Sequence, residues 1–227
     1  MKDRTINIKG KPFTYQDEID DITYVNSTPV TDEQAKLLLE TTKKLFDQVG
    51  LNLCLAFGTL LGAVRNHGII PGDDDVDTYT DDEQKLYNSL PFFYEQGLKV
   101  VRISKGKLYS FRVNNHCFID VYILRKLKWY SVWSWYCYAL AGDAKPKNLF
   151  QGTQDIEFLG GIYKCQKDPE KFFEFQYGKD WRIPQNSKGH EEVTSRALWR
   201  KYTSKVKYCI QRMIGWYHWR HLVKKIN

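Results

Sequence analysis

The sequence predicts an α/β fold of the α+β kind, a small mixed β-sheet flanked by helices and followed by a basic amphipathic helix. Three observations carry this. Short apolar runs at 51–57, 76–80, 100–103, 109–113 and 117–124 read as strands and are interleaved with helical stripes at 31–50 and 81–90. With 227 residues, 42% of them hydrophobic, the chain can build the core of one domain, and no apolar run reaches the ~18 residues that span a bilayer. The net charge of +7 is gathered at one end, because residues 191–227 hold nine Lys and Arg against two Glu while the first 190 are balanced. Residues 1–30 then form an N-terminal arm, 31–190 the main domain, and 191–227 the basic helix.

Taken in order, residues 1–30 are polar and turn-rich and suggest an extended arm. Thr31-Asp-Glu-Gln34 has the form of a capping box, with acids in the first turn. The stripe Ala35, Leu38, Leu39, Leu45, Phe46 and Val49 continues as a helix that Gly50 ends. Leu51–Phe57 is expected as the first strand and Leu60–Asn66 as a short helix opening just after Gly58. Val76–Thr80 is the second strand, and Asp81-Asp82 cap the helix that follows. Val100–Ile103, Tyr109–Val113 and Cys117–Leu124 are three more strands, with Asn114-Asn115 as a hairpin turn between the last two.

Beyond them, 126–138 is dense in aromatics: Trp129, Tyr130, Trp133, Trp135, Tyr136 and Tyr138. An aromatic cage for a quaternary ammonium is one reading. The spacing of Trp129, Trp133 and Tyr136 favours a helix packed on the core. Ala141–Gln154 reads as loop. In the tail, Leu198, Tyr202, Val206, Ile210, Met213, Tyr217 and Leu222 recur at helical spacing among lysines, arginines and tryptophans. Residues 194–226 therefore suit a membrane surface, or equally a helix docked on the domain with a solvated basic face. No nucleic-acid recognition motif accompanies the charge. The five cysteines are odd in number and widely spaced, which suggests free thiols. The first residues lack an apolar signal core, so a cytoplasmic location is expected, peripheral at the inner membrane face if the tail binds lipid.

The chemistry concentrates in Gly58-Thr-Leu-Leu-Gly-Ala-Val-Arg65 and Ile70-Pro-Gly-Asp-Asp-Asp-Val-Asp77. In a strand, Asp75 and Asp77 share one face while Val76 enters the core. Two such carboxylates repel, and a hard cation resolves the conflict by bridging them to substrate phosphates. Gly58 lets backbone N–H groups approach a phosphate, Thr59 adds a hydroxyl, and the fork of Arg65 matches two phosphate oxygens. His67 either lies exposed or touches substrate. Asp120, inside the apolar run Phe118-Ile-Asp-Val-Tyr122, is costly unless paired or metal-bound. It either completes the metal site or acts as base on an acceptor hydroxyl.

These two blocks resemble the signature of the LicD family of phosphocholine transferases, which takes in the fukutin-like enzymes that move ribitol phosphate. Phe118-Ile-Asp-Val121 resembles that family's third carboxylate strand. Ile156–Tyr163 and Phe172–Pro184 resemble its distal elements, in which Tyr177 and Trp181 are structural. The family commonly has Trp where this chain has Gly72. The resemblance implies a nucleotidyltransferase-like sheet over 31–190, with Asp75, Asp77 and Asp120 as catalytic acids and ligands of Mg²⁺ (or Mn²⁺). Gly58, Thr59, Arg65 and His67 would hold the donor's phosphates.

It further implies transfer of phosphocholine or a polyol phosphate from a CDP-activated alcohol to a hydroxyl of a cell-surface glycan or its lipid-linked precursor. Lipopolysaccharide, capsule or teichoic acid would be the setting. One rival reading is a nucleotidyltransferase that adds NMP to a protein, RNA or small molecule such as an antibiotic. Another is a catalytically silent, membrane-associated binding module.

Overall fold

The structure is a computed structural model that describes residues 2–18, 28–113, 117–126, 136–141 and 143–184. The chain divides into two compact units, Met1–Leu124 with Thr153–Cys165, and Arg125–Gly152 with Gln166–Asn227.

The first unit opens with a hairpin of β1 (Lys2–Ile8) and β2 (Lys11–Asp17), turned at Lys9-Gly10. An arm was expected there. Ile6 and Ile8 alternate on one strand and Phe13 and Tyr15 on the other, but most of their neighbours are exposed, so the period of two is faint. Helix α1 (Asp32–Val49) follows, and both halves of the expected capping box form: Gln34 N–H donates to Thr31 Oγ1 at 3.3 Å and Thr31 N–H to Gln34 Oε1 at 3.0 Å. Gly50 ends the helix in the left-handed conformation at φ 68°.

The expected strand at 51–57 shrinks to β3 (Cys54–Leu55), and helix α2 (Phe57–Leu61) begins before Gly58 rather than after it. It runs on as a π-turn over Gly62–Asn66. Then come β4 (Asp75–Thr80), α3 (Glu83–Glu95, capped by the Asp82 carboxylate on Lys85 N–H), β5 (Lys99–Ser104), β6 (Leu108–Arg112) and β7 (Phe118–Ile123). These match the predicted strands closely. The Asn114-Asn115 turn lies outside the described residues.

The sheet is completed after an excursion. Sequence elements β8 (Arg125–Lys126), β9 (Tyr136–Leu140) and β10 (Asp143–Pro146) form a separate three-stranded antiparallel sheet in the second unit. The chain then returns as the hairpin β11 (Thr153–Phe158) and β12 (Gly161–Gln166). The loop expected at 141–154 thus carries a strand and a 3-10 turn (Lys147–Phe150). The helix expected over 126–138 is strand at both described ends; Trp129, Tyr130, Trp133 and Trp135 lie outside the described residues, as does the whole basic segment 191–227. The second unit also holds α4 (Pro169–Gln176), where Phe172 meets Phe150 and Phe173 meets the buried Trp181, as the reading of Trp181 as structural anticipated. No helix among the described residues is long and apolar enough to cross a membrane.

The large sheet has seven strands in the order β11-β12-β3-β4-β7-β6-β5 and is mixed, parallel at β12–β3 and β4–β7 and antiparallel at β3–β4, β7–β6 and β6–β5. One of its faces is the core: Val76, Ile119, Val121 and Phe111 are buried, with Phe93 of α3 edge-on to Phe111 and stacked on Phe46 of α1. Alternation then sends Asp75, Asp77 and Asp120 to the opposite face. Cys54 and Cys117 are buried free thiols, as expected of small core residues.

The α1 cap is an exposed feature with a measurable energy. Thr31→Ala should cost about 1 kcal/mol, a fall of about 2–4 °C in the midpoint of a thermal melt, and Thr31→Ser should recover most of it.

Candidate active site

The site is built where β3 ends against β4. Ala56 is extended and its N–H donates to Asp77 O at 3.0 Å, which holds the chain antiparallel to β4 up to the last residue before α2. Phe57 then takes a positive φ of 37°, an uncommon conformation for a residue with a side chain, and swings the first turn of α2 over the Asp77 carboxylate. Gly58 N–H donates to Asp77 Oδ2 at 3.0 Å, and Asp77 N–H donates to Thr59 Oγ1 at 2.8 Å. A Cβ at Gly58 would stand 2.8 Å from Asp73 Oδ2 and 3.4 Å from Asp77 Oδ2, so glycine is what lets the Asp73 carboxylate approach this closely. Asp73 stands in the block Ile70–Asp77 with no role legible in the sequence. It belongs to the site, and the close approach at Gly58 is invisible without the fold.

The approach to β4 is equally constrained. Ile70-Pro71-Gly72-Asp73 closes a turn through Asp73 N–H to Ile70 O at 3.0 Å, with Gly72 at φ 95°. Proline followed by a residue of positive φ is the pattern of a type II turn. The glycine that stands where the family commonly has Trp is thus suited to the turn it occupies. Asp32, at the start of α1, accepts from Ile69 N–H at 2.8 Å and ties the preceding loop to the helix. Arg65 turns its Nε to Asn66 Oδ1 at 2.8 Å, and His67 is exposed at the end of the π-turn with φ 57°. The structure brings Gly58, Thr59, Asp75, Asp77 and Asp120 together. It places Arg65 and His67 on the turn beyond α2.

Asp120 lies opposite Asp77 in the parallel register of β4 and β7. Its side chain is fully buried (0% exposed), and both oxygens are engaged. Arg102 Nη2 donates to Oδ1 at 3.0 Å and to Oδ2 at 2.7 Å, and Ser110 Oγ–H donates to Oδ1 at 2.5 Å. Arg102 Nε completes the triangle on Ser110 Oγ at 2.8 Å. Neither Arg102 nor Ser110 was anticipated. Tyr122, on the same strand face as Asp120, hydrogen-bonds Asp77 and sets its ring edge-on to Phe57 at 5.0 Å.

The electrostatics follow from crowding. Burial first, then the charges of Asp77 and Asp120, hold the Asp75 carboxyl well above the ordinary carboxylate range. Asp77 is pushed up to about 8 by burial and by Asp120, against the lowering effect of Gly58 N–H and Tyr122. Burial also raises Asp120, opposed by Arg102 and Ser110. Crowding of this kind is relieved either by protonation or by a bound cation. Hard carboxylate oxygens on Asp75 and Asp77 suit Mg²⁺ or Mn²⁺. Among the described residues no group of three or more His, Cys, Asp or Glu is gathered in a geometry to hold a metal. Arg102 Nη2 and the Ser110 hydroxyl engage both Asp120 oxygens.

A family model described as the LicD/FKTN/FKRP nucleotidyltransferase domain matches residues 50–165, the segment that holds every one of these contacts except the Asp32 tether. An uncharacterized protein of Rickettsia typhi is 37% identical over 93 residues, covering 40% of this chain and 28% of that protein. One of Rickettsia prowazekii is 36% identical over 93 residues, covering 40% and 33%. The match to this chain therefore spans a third or less of the length of these curated relatives. Among solved structures, the antibiotic-resistance factor ANT(2″)-Ia aligns with a TM-score of 0.46 at 13% identity, over 84% of this chain and 99% of that one. The lincomycin-bound lincosamide antibiotic adenylyltransferase LnuA aligns with a TM-score of 0.42 at 9% identity, over 75% and 96%.

A testable consequence concerns pH. An acid raised from 3.8 to about 8 keeps its proton in the folded protein after the unfolded chain has lost it. Folding then becomes less favourable as pH climbs from about 4 to about 8. In metal-free protein, Asp77→Asn should lessen that decline, leaving the part due to Asp75 and Asp120, and raise the melting temperature at pH 8, by about 2–4 °C for each kcal/mol of relieved repulsion. Equal slopes of melting temperature against pH in variant and parent would count against the crowded-carboxylate account.

Proposed function

The chain belongs to the LicD/FKTN/FKRP family of nucleotidyltransferase domains, and we propose that it transfers a phosphorylated alcohol from a CDP-activated donor to a hydroxyl of a glycan or lipid-linked glycan precursor. Phosphocholine and a polyol phosphate are the two groups this reading admits. The observation that carries it is the pairing of Asp75 and Asp77 on one strand face with Gly58 N–H donating to the Asp77 carboxylate.

Transfer of a phosphoryl-type group needs positioning and charge neutralisation more than covalent chemistry. Mg²⁺ or Mn²⁺, held by Asp75 and Asp77, would supply that neutralisation at the donor's pyrophosphate. The chain's own residues do the positioning. Gly58 N–H and the Tyr122 side chain hold the Asp77 carboxylate in one orientation, and Thr59 anchors its backbone. A carboxylate fixed before the donor arrives has no reorganisation left to do during the reaction. Arg65 and His67, on the turn that follows α2, are assigned to the donor's phosphates, and the basic tail 194–226 to a membrane surface that presents the acceptor.

A nucleotidyltransferase moving NMP would use the same carboxylates, so the product decides between the readings. With CDP-choline, CDP-ribitol or CDP-glycerol as donor, Asp75→Ala and Asp77→Ala should each lower turnover by about a thousandfold or more, with unchanged far-UV circular dichroism. In a thermal-shift panel with Mg²⁺, the true donor at about 100 times its Kd should add about 2.7 kcal/mol of stability. Shifts with CTP or ATP alone, or a CMP or AMP adduct on the acceptor, would replace this reading with the nucleotidyltransferase one.

A further inference from the structure

A row of polar side chains crosses four neighbouring strands of the large sheet at one level. Arg102 on β5 stands opposite Ser110 on β6, Ser110 opposite Asp120 on β7, and Asp120 opposite Asp77 on β4. Neighbouring strands lie about 4.8 Å apart, so the row runs from the sheet's edge to the carboxylate pair in three steps.

Plain alternation would not produce it. With an uninterrupted period of two, Arg102 would share the face of Val100 and project into the aromatic core beside Phe111. The register of β5 on β6 shifts between Val100 and Arg102, so that Val100 faces Phe111 while Arg102 faces Ser110. Val101 is the extra residue of a β-bulge, and the bulge turns Arg102 over to the carboxylate face. The resulting pair is buried, with side chains 10% and 0% exposed. A buried ion pair costs several kcal/mol of desolvation per ion, and apolar residues of similar volume often serve stability as well or better. A bulge, a buried arginine and a serine all directed at one carboxylate therefore call for a reason other than stability.

We infer that Arg102 and Ser110 are positioning residues that hold Asp120 back from the cation site, so that Asp75 and Asp77 alone carry the divalent ion. This rests on the reading that those two aspartates bind a divalent cation. Two carboxylates leave most of an octahedral shell to water and donor phosphates, whereas a third would compete for those positions. Arg102 also balances the charge of Asp120, so that carboxylate adds no net charge beside Asp75 and Asp77. Arginine suits this role because its Nη2 reaches both Asp120 oxygens while its Nε holds the Ser110 hydroxyl that donates to Oδ1, two donors fixed in one plane that a lysine ammonium does not supply.

Binding of Mn²⁺ alone to the full chain, followed by electron paramagnetic resonance, tests the assignment without requiring the donor. The parent should bind one ion, and Asp75→Asn and Asp77→Asn should each weaken it at least tenfold; if they do not, the cation reading itself fails. The charge-balanced double variant Arg102→Met with Asp120→Leu should keep the Mn²⁺ Kd within about threefold of the parent. A loss as large as that of Asp77→Asn would make Asp120 a ligand and overturn the inference. Arg102→Met alone should free Asp120 and tighten Mn²⁺ about tenfold, with Arg102→Lys returning toward the parent value. If Arg102→Met lowers the melting temperature and leaves the Kd unmoved, the pair is merely structural and the inference is wrong. Should that single variant not fold, the double variant still decides.

Discussion

The bond from Gly58 N–H to Asp77 Oδ2, 3.0 Å long, is the contact on which the remaining geometry depends. To make it, β3 must stop after two residues, Phe57 must take a positive φ, and the helix must start early enough for its first turn to overhang β4. The return bond from Asp77 N–H to Thr59 Oγ1 locks the same turn from below. With a side chain at position 58 the Asp73 carboxylate would have to shift away. A single backbone donor thus sets the distance between the glycine turn and the acidic strand, and the type II turn at Gly72 delivers the chain into that strand at the matching level.

The cost of the arrangement is electrostatic. Several carboxylates stand at the end of one sheet, partly or wholly buried, and burial together with their mutual repulsion raises Asp75, Asp77 and Asp120 alike. The fold offsets this with one arginine brought in by a β-bulge, one serine, one tyrosine and the Gly58 donor. The residual crowding is left on Asp75 and Asp77. Local departures from ideal structure cluster there: a non-glycine residue with positive φ, a π-turn, a strand of two residues and the bulge. A site that concentrates like charge is expected to break local rules and to be supported by the regular structure around it.

What could be read in advance followed short-range physics. The capping box at Thr31, the end of α1 at Gly50, the acidic cap of α3 and the strands β4 to β7 all rest on spacings of a few residues, and each formed where expected. The hairpin at residues 2–17 was missed because its largely exposed strands show alternation only at Ile6, Ile8, Phe13 and Tyr15. The strands around 136–146 were missed because their aromatic and Gly/Pro content reads equally well as helix followed by loop. Arg102 was passed over for a sharper reason. One inserted residue reverses the face of every side chain after it, and a bulge has no signature in Val-Val-Arg-Ile.

The sequence by itself determined the chemistry of the site and its level along the chain. Two aspartates two apart in a strand must share a face, and an aspartate inside Phe118-Ile-Asp-Val121 must find a partner, because strand geometry and the cost of buried charge require it. Only the tertiary structure decided which partner that would be. Strand order and register are choices among distant segments, made by packing the whole sheet against α1 and α3, and they placed an arginine from the sheet's edge on Asp120, where the sequence alone allowed a metal or a substrate hydroxyl equally well.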